Sequence, residues 1–160
     1  MTFSIFLDLQ INVSQYINQK AYNCLLYDKD DEKINFFVSN NDGASSSIFK
    51  FGKDSVNLRT IEKKLLKTIT LDSLLKKNNI ESKDYDYWVI DLQGSELLAL
   101  KGAVNSLKKC KSILIEVSLN EYYLNAVKWD ELKKFLNENH FIQKWEPKEA
   151  HTDVLFVREN

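Results

Sequence analysis

The chain has 160 residues, of which 22 are basic and 23 acidic, so its formal net charge is −1. This balance gives no electrostatic reason to expect binding to nucleic acid or to an anionic membrane surface. The hydrophobic fraction of 44% is ordinary for a globular protein, and no apolar run is long enough to span a bilayer. Length and composition therefore predict a single globular domain over residues 1–160.

The cysteines and histidines are scattered through the sequence. Cys24 and Cys110 form no CxxC pair, and His140 and His151 stand alone, so we expect no metal site. The first residues lack the basic segment of a signal peptide, and this cysteine usage suits a reducing compartment. These features predict a cytoplasmic location.

The first half of the chain alternates between strand-like runs and polar loops. The apolar run over residues 3–9 predicts a first strand. Residues 22–27 and 34–39 predict two more strands, which the polar stretch between them would join as a hairpin. Residues 40–47 are rich in Asn, Asp, Ser and Gly and predict a loop that either holds a ligand or serves only as a linker.

The second half predicts two successive strand–helix units and a terminal hairpin. Residues 65–70 predict a strand, and Thr70 or Asp72 would cap the short helix that follows. The apolar run that begins at Tyr87 predicts a buried strand, followed by a break at Gly94 and a helix over residues 95–107. The remaining predicted elements are a strand over 112–117, a helix over 129–138 and an antiparallel hairpin of 141–145 with 153–158.

Two of these strands end in carboxylates. Asp91 follows the strand that begins at Tyr87, and Glu116 lies at the end of the next strand. Successive strand–helix units favour neighbouring parallel strands, whose carboxyl ends form the ligand crevice of open α/β sheets. Asp91, Gln93 and Glu116 are therefore predicted to share one cleft. The alternative is structural, with Glu96 complementing a helix dipole and Gly94 serving only the turn.

Four of these motifs, taken in order, resemble the FkbM family of S-adenosylmethionine-dependent methyltransferases. They are residues 70–72 (TLD), 90–96 (IDLQGSE), 100–103 (LKGA) and 115–117 (IEV). The resemblance covers residues 21–158 and implies an α/β class I methyltransferase fold. That fold is a Rossmann-like three-layer sandwich whose sheet is mostly parallel with an antiparallel last strand. It also implies methyl transfer from S-adenosylmethionine to a hydroxyl of a sugar or another small molecule.

The resemblance also implies roles for particular residues. The carboxylates that would orient an acceptor hydroxyl or favour the sulfonium charge are Asp91, Glu96 and Glu116. The residues that would bind the cofactor are Asp8, Asn12, Asp91, Gln93 and Gly94. The loop residues that would contact the acceptor are Asn41, Asp42 and Ser45.

The N-terminal part departs from the family pattern. The glycines of the family's cofactor loop are replaced, so that Ile11 and Ser14 carry β-carbons there, and residues 1–20 form a shortened front. Loss of the family's first strand would leave the edge of the sheet beside the central strand open. We expect residues 3–9 to fill that edge, or else a second copy or a partner chain to cover it. The departure also favours an alternative function, a non-catalytic remnant or binding module that has lost the cofactor cleft.

Overall fold

The computed structural model describes residues 3–159, whose helices and strands build an α/β arrangement with two mixed sheets. The helices are α1 (Phe3–Val13), α2 (Leu71–Lys77), α3 (Glu96–Lys101), α4 (Val104–Leu107) and α5 (Trp129–Glu138). The strands are β1 (Leu25–Leu26), β2 (Lys33–Ser39), β3 (Thr60–Ile69), β4 (Tyr87–Ile90), β5 (Ser112–Ser118), β6 (Phe141–Gln143) and β7 (His151–Arg158).

The larger sheet has the strand order β4-β5-β7-β6. Strands β4 and β5 are parallel, with Ile90 opposite Ile115, which confirms the predicted parallel pair. Strand β7 runs antiparallel to both β5 and β6, so the terminal hairpin and the antiparallel last strand are also confirmed. The α/β class is confirmed, but the sheet as a whole is mixed, with one parallel and two antiparallel strand pairs, and not the mostly parallel sheet predicted for an N-terminally shortened three-layer sandwich.

The core lies on one face of β5. Ile113, Ile115 and Val117 alternate along this strand and are buried, together with Leu136 of α5 and Phe156 of β7. The side chains between them point to the opposite face of the sheet and are half-buried. Among these are Glu116 and Ser118, so the packing of the core leaves two polar side chains near the carboxyl end of β5 accessible.

The smaller sheet corrects the predicted hairpin of residues 22–27 and 34–39. Its strand order is β1-β3-β2, with β1 parallel and β2 antiparallel to β3, so the two predicted partners lie on opposite sides of β3. The polar segment between them passes the end of β3 instead of forming a tight turn. Thr68 holds it there, because its backbone oxygen accepts from the Asp31 N–H and its hydroxyl donates to the Lys29 carbonyl.

The prediction for the N-terminus is wrong. Residues 3–9 belong to helix α1 and do not fill the edge beside β4, which among the described strands pairs with β5 alone. An apolar run of this length does not by itself distinguish a strand from a helix. The side chain of Val89 on the edge strand is 68% exposed.

Within residues 3–159, no helix has the length and apolar character needed to cross a membrane.

Two side chains of the TLD motif, Thr70 and Asp72, hold α2 in place. Thr70 is the N-cap of α2, as predicted, and its hydroxyl oxygen accepts from the Ser73 N–H at 3.1 Å. The Asp72 carboxylate accepts from the backbone N–H groups of Asn105 (2.8 Å) and Ser106 (2.9 Å) in α4. Burial raises the pKa of Asp72, but these hydrogen bonds outweigh it and the pKa is lowered overall. The TLD motif is thus a structural fastening.

Candidate functional site

The carboxyl ends of β4 and β5 bring together three of the predicted site residues. The Gln93 side-chain nitrogen donates to Asp91 Oδ1 at 2.5 Å and to Glu116 Oε2 at 2.9 Å. One amide group therefore bridges two carboxylates that lie on neighbouring strands. The three predicted residues thus meet at one edge of the sheet, while their shared cleft and their catalytic and binding roles stay predictions.

The turn that carries Gln93 is held in an uncommon backbone conformation. Gln93 has φ +53° and Gly94 has φ +94°, and the first of these is unusual for a residue with a β-carbon. The Ser47 hydroxyl donates to the Gln93 carbonyl at 2.7 Å, and the Tyr123 hydroxyl donates to Gln93 Oε1 at 2.6 Å. Because Tyr123 occupies the amide oxygen, the amide nitrogen is directed at the two carboxylates.

Glu96 supports the same turn from below. Its side chain is buried, and Oε1 accepts from the backbone N–H groups of Leu92 and Gly94, each at 3.0 Å. Burial raises the pKa of Glu96, the N–H donors oppose this, and the nearby Asp91 adds to the rise. The contacts of Glu96 are those of a group that shapes the loop between β4 and α3.

A pair of side chains on β5 and β7 completes the polar cluster. His151 Nε2 lies 2.8 Å from Glu116 Oε1, and His151 Nδ1 lies 2.7 Å from Ser118 Oγ. The sequence does not reveal His151 as a site residue, because its partners are distant in sequence and adjacent only through the β5–β7 register, in which His151 is opposite Ser118. The one available signal was the spacing of Glu116 and Ser118, which places both on one face of a strand.

The electrostatics of the cluster are dominated by Glu116. Burial raises its pKa to about 8, and the negative charges of Asp91, Glu96 and Asp153 contribute to the rise. Burial is also the main reason that the pKa of Tyr123 is raised, so Tyr123 remains a hydrogen-bond donor at neutral pH. Glu116 is therefore a carboxyl group that can hold or release a proton near physiological pH.

Two concave surfaces adjoin the cluster. A cleft of about 520 Å³ opens beyond the end of β5. It is lined by polar and aromatic side chains that include Glu96, Glu116, Ser118, Tyr123, Trp129 and Asp130. A groove of about 340 Å³ runs beside β4, reaches Asp91 at one end, and is lined mainly by apolar side chains such as Leu71, Leu75, Tyr85 and Trp88.

The remaining predicted site residues divide into two groups. Ser45 lies next to the cluster, because its carbonyl oxygen is 3.1 Å from the Tyr123 hydroxyl oxygen. Asn41 bonds to Ser39 and Ser45 within the same loop, and Asp42 is exposed. Asp8 and Asn12 are on helix α1, where both are exposed, and their role in cofactor binding stays a prediction. In the described part of the chain, no cluster of His, Cys, Asp and Glu could hold a metal ion.

The raised pKa of Glu116 predicts a pH-dependent stability. Between the ordinary carboxyl pKa of 4.5 and about 8 the folded protein binds more protons than the unfolded chain, so the free energy of unfolding falls as pH rises. We expect a fall on the order of 1–3 kcal/mol in urea unfolding between pH 5 and pH 8.5. Glu116→Gln should remove most of it, whereas Glu121→Gln, an exposed carboxylate of the same cleft, should leave it in place. If the free energy of unfolding fell with pH to the same extent in the wild type and in Glu116→Gln, Glu116 would not be the group responsible for the fall.

The fold and the cluster define an α/β protein with paired carboxylates at the carboxyl ends of two parallel strands, where such sheets bind their ligands. The comparison with protein families identifies the family to which this α/β protein belongs. The model of the methyltransferase FkbM domain matches residues 7–142, so the chain belongs to the FkbM methyltransferase family. The search of curated proteins and the search of solved structures each found no match.

Proposed function

We propose that this chain is an S-adenosylmethionine-dependent O-methyltransferase of the class I type that acts on a hydroxyl of a sugar or another small molecule. Membership of the FkbM family supports methyl transfer in general. The observation that carries the finer proposal is the carboxylate pair Asp91 and Glu116, bridged by Gln93 at the ends of β4 and β5. A hydroxyl acceptor needs a base of this kind beside it.

The chemistry of the donor set fits the cofactor at its charged end. When bound, S-adenosylmethionine supplies an electrophilic methyl group on a positively charged sulfur, and the Asp91 carboxylate, joined by that of Glu116 when it is ionised, would favour this charge. The apolar groove beside β4 has the aromatic side chains of Tyr85 and Trp88 in its lining and reaches Asp91, so it offers an apolar surface that would suit an adenine ring.

The residues of the cluster divide the work of the reaction. Glu116 lines the cleft and holds a pKa near the working pH, which favours it as the base for the acceptor hydroxyl. Gln93 fixes the relative positions of Asp91 and Glu116, and Tyr123 fixes Gln93. Methyl transfer is an in-line displacement that depends mainly on the alignment of the reacting atoms. The hydrogen bonds that fix the two carboxylates would support such alignment.

Calorimetric titration with S-adenosylhomocysteine tests the proposal without knowledge of the acceptor. We expect micromolar affinity for the wild type and a loss of about tenfold or more, or about 1.4 kcal/mol, in Asp91→Ala. Glu138→Ala, which removes an exposed carboxylate of α5, should bind as the wild type does. Circular dichroism of each variant establishes that the fold is retained.

A second candidate function is favoured by one specific observation. The segment predicted to form the cofactor loop is helix α1, and its exposed Asp8 and Asn12 share no described hydrogen bond with the cluster. A folded wild-type protein that does not bind the cofactor product at millimolar concentration would support a non-catalytic binding module.

A further inference from the structure

A short chain of hydrogen bonds leads from the cleft toward solvent. Glu116 lines the cleft with only 16% of its side chain exposed, and its Oε1 contacts His151 Nε2 at 2.8 Å. The His151 side chain is 36% exposed, and its other nitrogen lies 2.7 Å from Ser118 Oγ. Glu116 is therefore the sheltered end of the chain and His151 is the open end.

We propose that His151 is a positioning residue that takes over, through Glu116, the proton that the acceptor hydroxyl loses, and returns it to solvent. This inference rests on the proposed methyl transfer. In that reaction the acceptor oxygen forms its bond to the methyl carbon while the bond between that carbon and the sulfur of S-adenosylmethionine breaks. The C–S electron pair stays on sulfur, which leaves as the neutral thioether, and the hydroxyl proton goes to Glu116.

Ser118 makes such a transfer compatible with the hydrogen bonds on both sides of the ring. When Glu116 is ionised and the ring is neutral, Nε2 must carry the proton that Glu116 accepts, so Nδ1 accepts from the Ser118 hydroxyl. When Glu116 is protonated, or when both ring nitrogens carry protons, Nδ1 carries a proton and the Ser118 hydroxyl oxygen accepts a hydrogen bond from it. A hydroxyl group can rotate between these roles, so neither state leaves a buried polar atom unpaired.

Glu116 keeps room for the acceptor while it contacts His151. Its Oε2 accepts from Gln93 and its Oε1 faces His151, but an ionised carboxylate has about four lone-pair sites. At least one site therefore remains for a hydroxyl group on a side chain that lines the cleft.

The charges around the pair favour retention of one proton. Asp91 after β4, Glu96 of α3 and Asp153 of β7 all add negative charge at Glu116, and the Tyr123 hydroxyl, whose pKa is raised mainly by burial, is a neutral neighbour. The Tyr122 ring lies 5.0 Å from the His151 ring, centroid to centroid, and restricts its orientation. A proton delivered to Glu116 is thus held by the pair until His151 releases it.

Nitrogen NMR of the histidine rings tests this inference without cofactor or acceptor. We expect Nδ1 of His151 to change from proton-bearing to proton-free in the same pH step in which Glu116 ionises, with Nε2 proton-bearing above that step. Glu116→Gln should abolish this step, and His140→Asn, at an exposed position, should leave it unchanged while it removes the other ring signal. A Nδ1 titration curve identical in the wild type and Glu116→Gln would overturn the inference.

Binding measurements separate this inference from the proposed function. We expect His151→Gln to bind S-adenosylhomocysteine within about twofold of the wild type, because His151 handles the proton and not the cofactor. A tenfold loss of affinity in His151→Gln would overturn the relay in favour of a structural role. If the NMR step is present but the wild type does not bind S-adenosylhomocysteine, the methyl-transfer proposal fails and the relay fails with it. If the wild type binds S-adenosylhomocysteine but the NMR step is absent, the relay alone is overturned.

Discussion

Replacement of Gly102 by alanine is expected to lower the free energy of unfolding by about 3 kcal/mol or more. A β-carbon at Gly102 would lie 2.0 Å from the Tyr27 carbonyl oxygen and 3.3 Å from Thr70 Cβ. The φ of Gly102 is −82°, which alanine adopts freely, so the cost comes entirely from this contact. Because the obstacle is backbone, no change of rotamer relieves it, and α3 would have to separate from the end of β1.

Gly43→Ala is the matched control for this change. Gly43 has φ +83°, but a β-carbon there would meet only Ser46 Oγ at 3.5 Å, so the expected cost is about 1 kcal/mol. Urea unfolding of the two variants beside the wild type measures the difference. A Gly102→Ala protein as stable as Gly43→Ala would show that the close approach of α3 to Tyr27 is not needed for folding.

Gly102 also illustrates what a motif conveys before a structure is known. The LKGA motif helps to identify the family, yet its glycine lies where the larger sheet's helix meets the smaller sheet. The sequence predicts a continuous helix over residues 95–107, while the structure has α3 and α4 separated at this point. The contact with Tyr27 joins residues that are far apart in sequence, and no local periodicity reports it.

The same limit separates the correct predictions from the wrong ones. The β4–α3–β5 region could be predicted because a strand and a following helix each have a local apolar pattern. The prediction that the first of these strands is buried is wrong, because β4 is an edge strand with Tyr87 and Val89 exposed. The partner of β1 could not be predicted, since residues 28–32 are polar whether they turn back or pass the end of β3. His151 was missed for a related reason, as its role depends on the β5–β7 register and not on its neighbours in sequence.

Glu96→Ala is the second change with a large expected effect. The Glu96 carboxylate accepts two backbone N–H groups, those of Leu92 and Gly94, within the loop that positions Gln93. Alanine would leave both donors without their partner, at a cost of about 2–4 kcal/mol. The loop would also lose the conformation that places Gln93 between Asp91 and Glu116, so we expect binding of S-adenosylhomocysteine to be lost as well.

Glu96→Gln distinguishes a structural carboxylate from a catalytic one. The amide oxygen of glutamine can accept from the same two N–H groups, and burial already raises the pKa of Glu96, so the neutral side chain suits the site. If Glu96 only shapes the loop, Glu96→Gln should unfold within about 1 kcal/mol of the wild type and retain cofactor affinity. If Glu96 acts on substrate through its charge, the same variant should fold normally and lose turnover. The roles of Glu96 and Glu116 can then be distinguished, because Glu116→Gln removes the base from the cleft and leaves the hydrogen bonds of Glu96 to the loop intact.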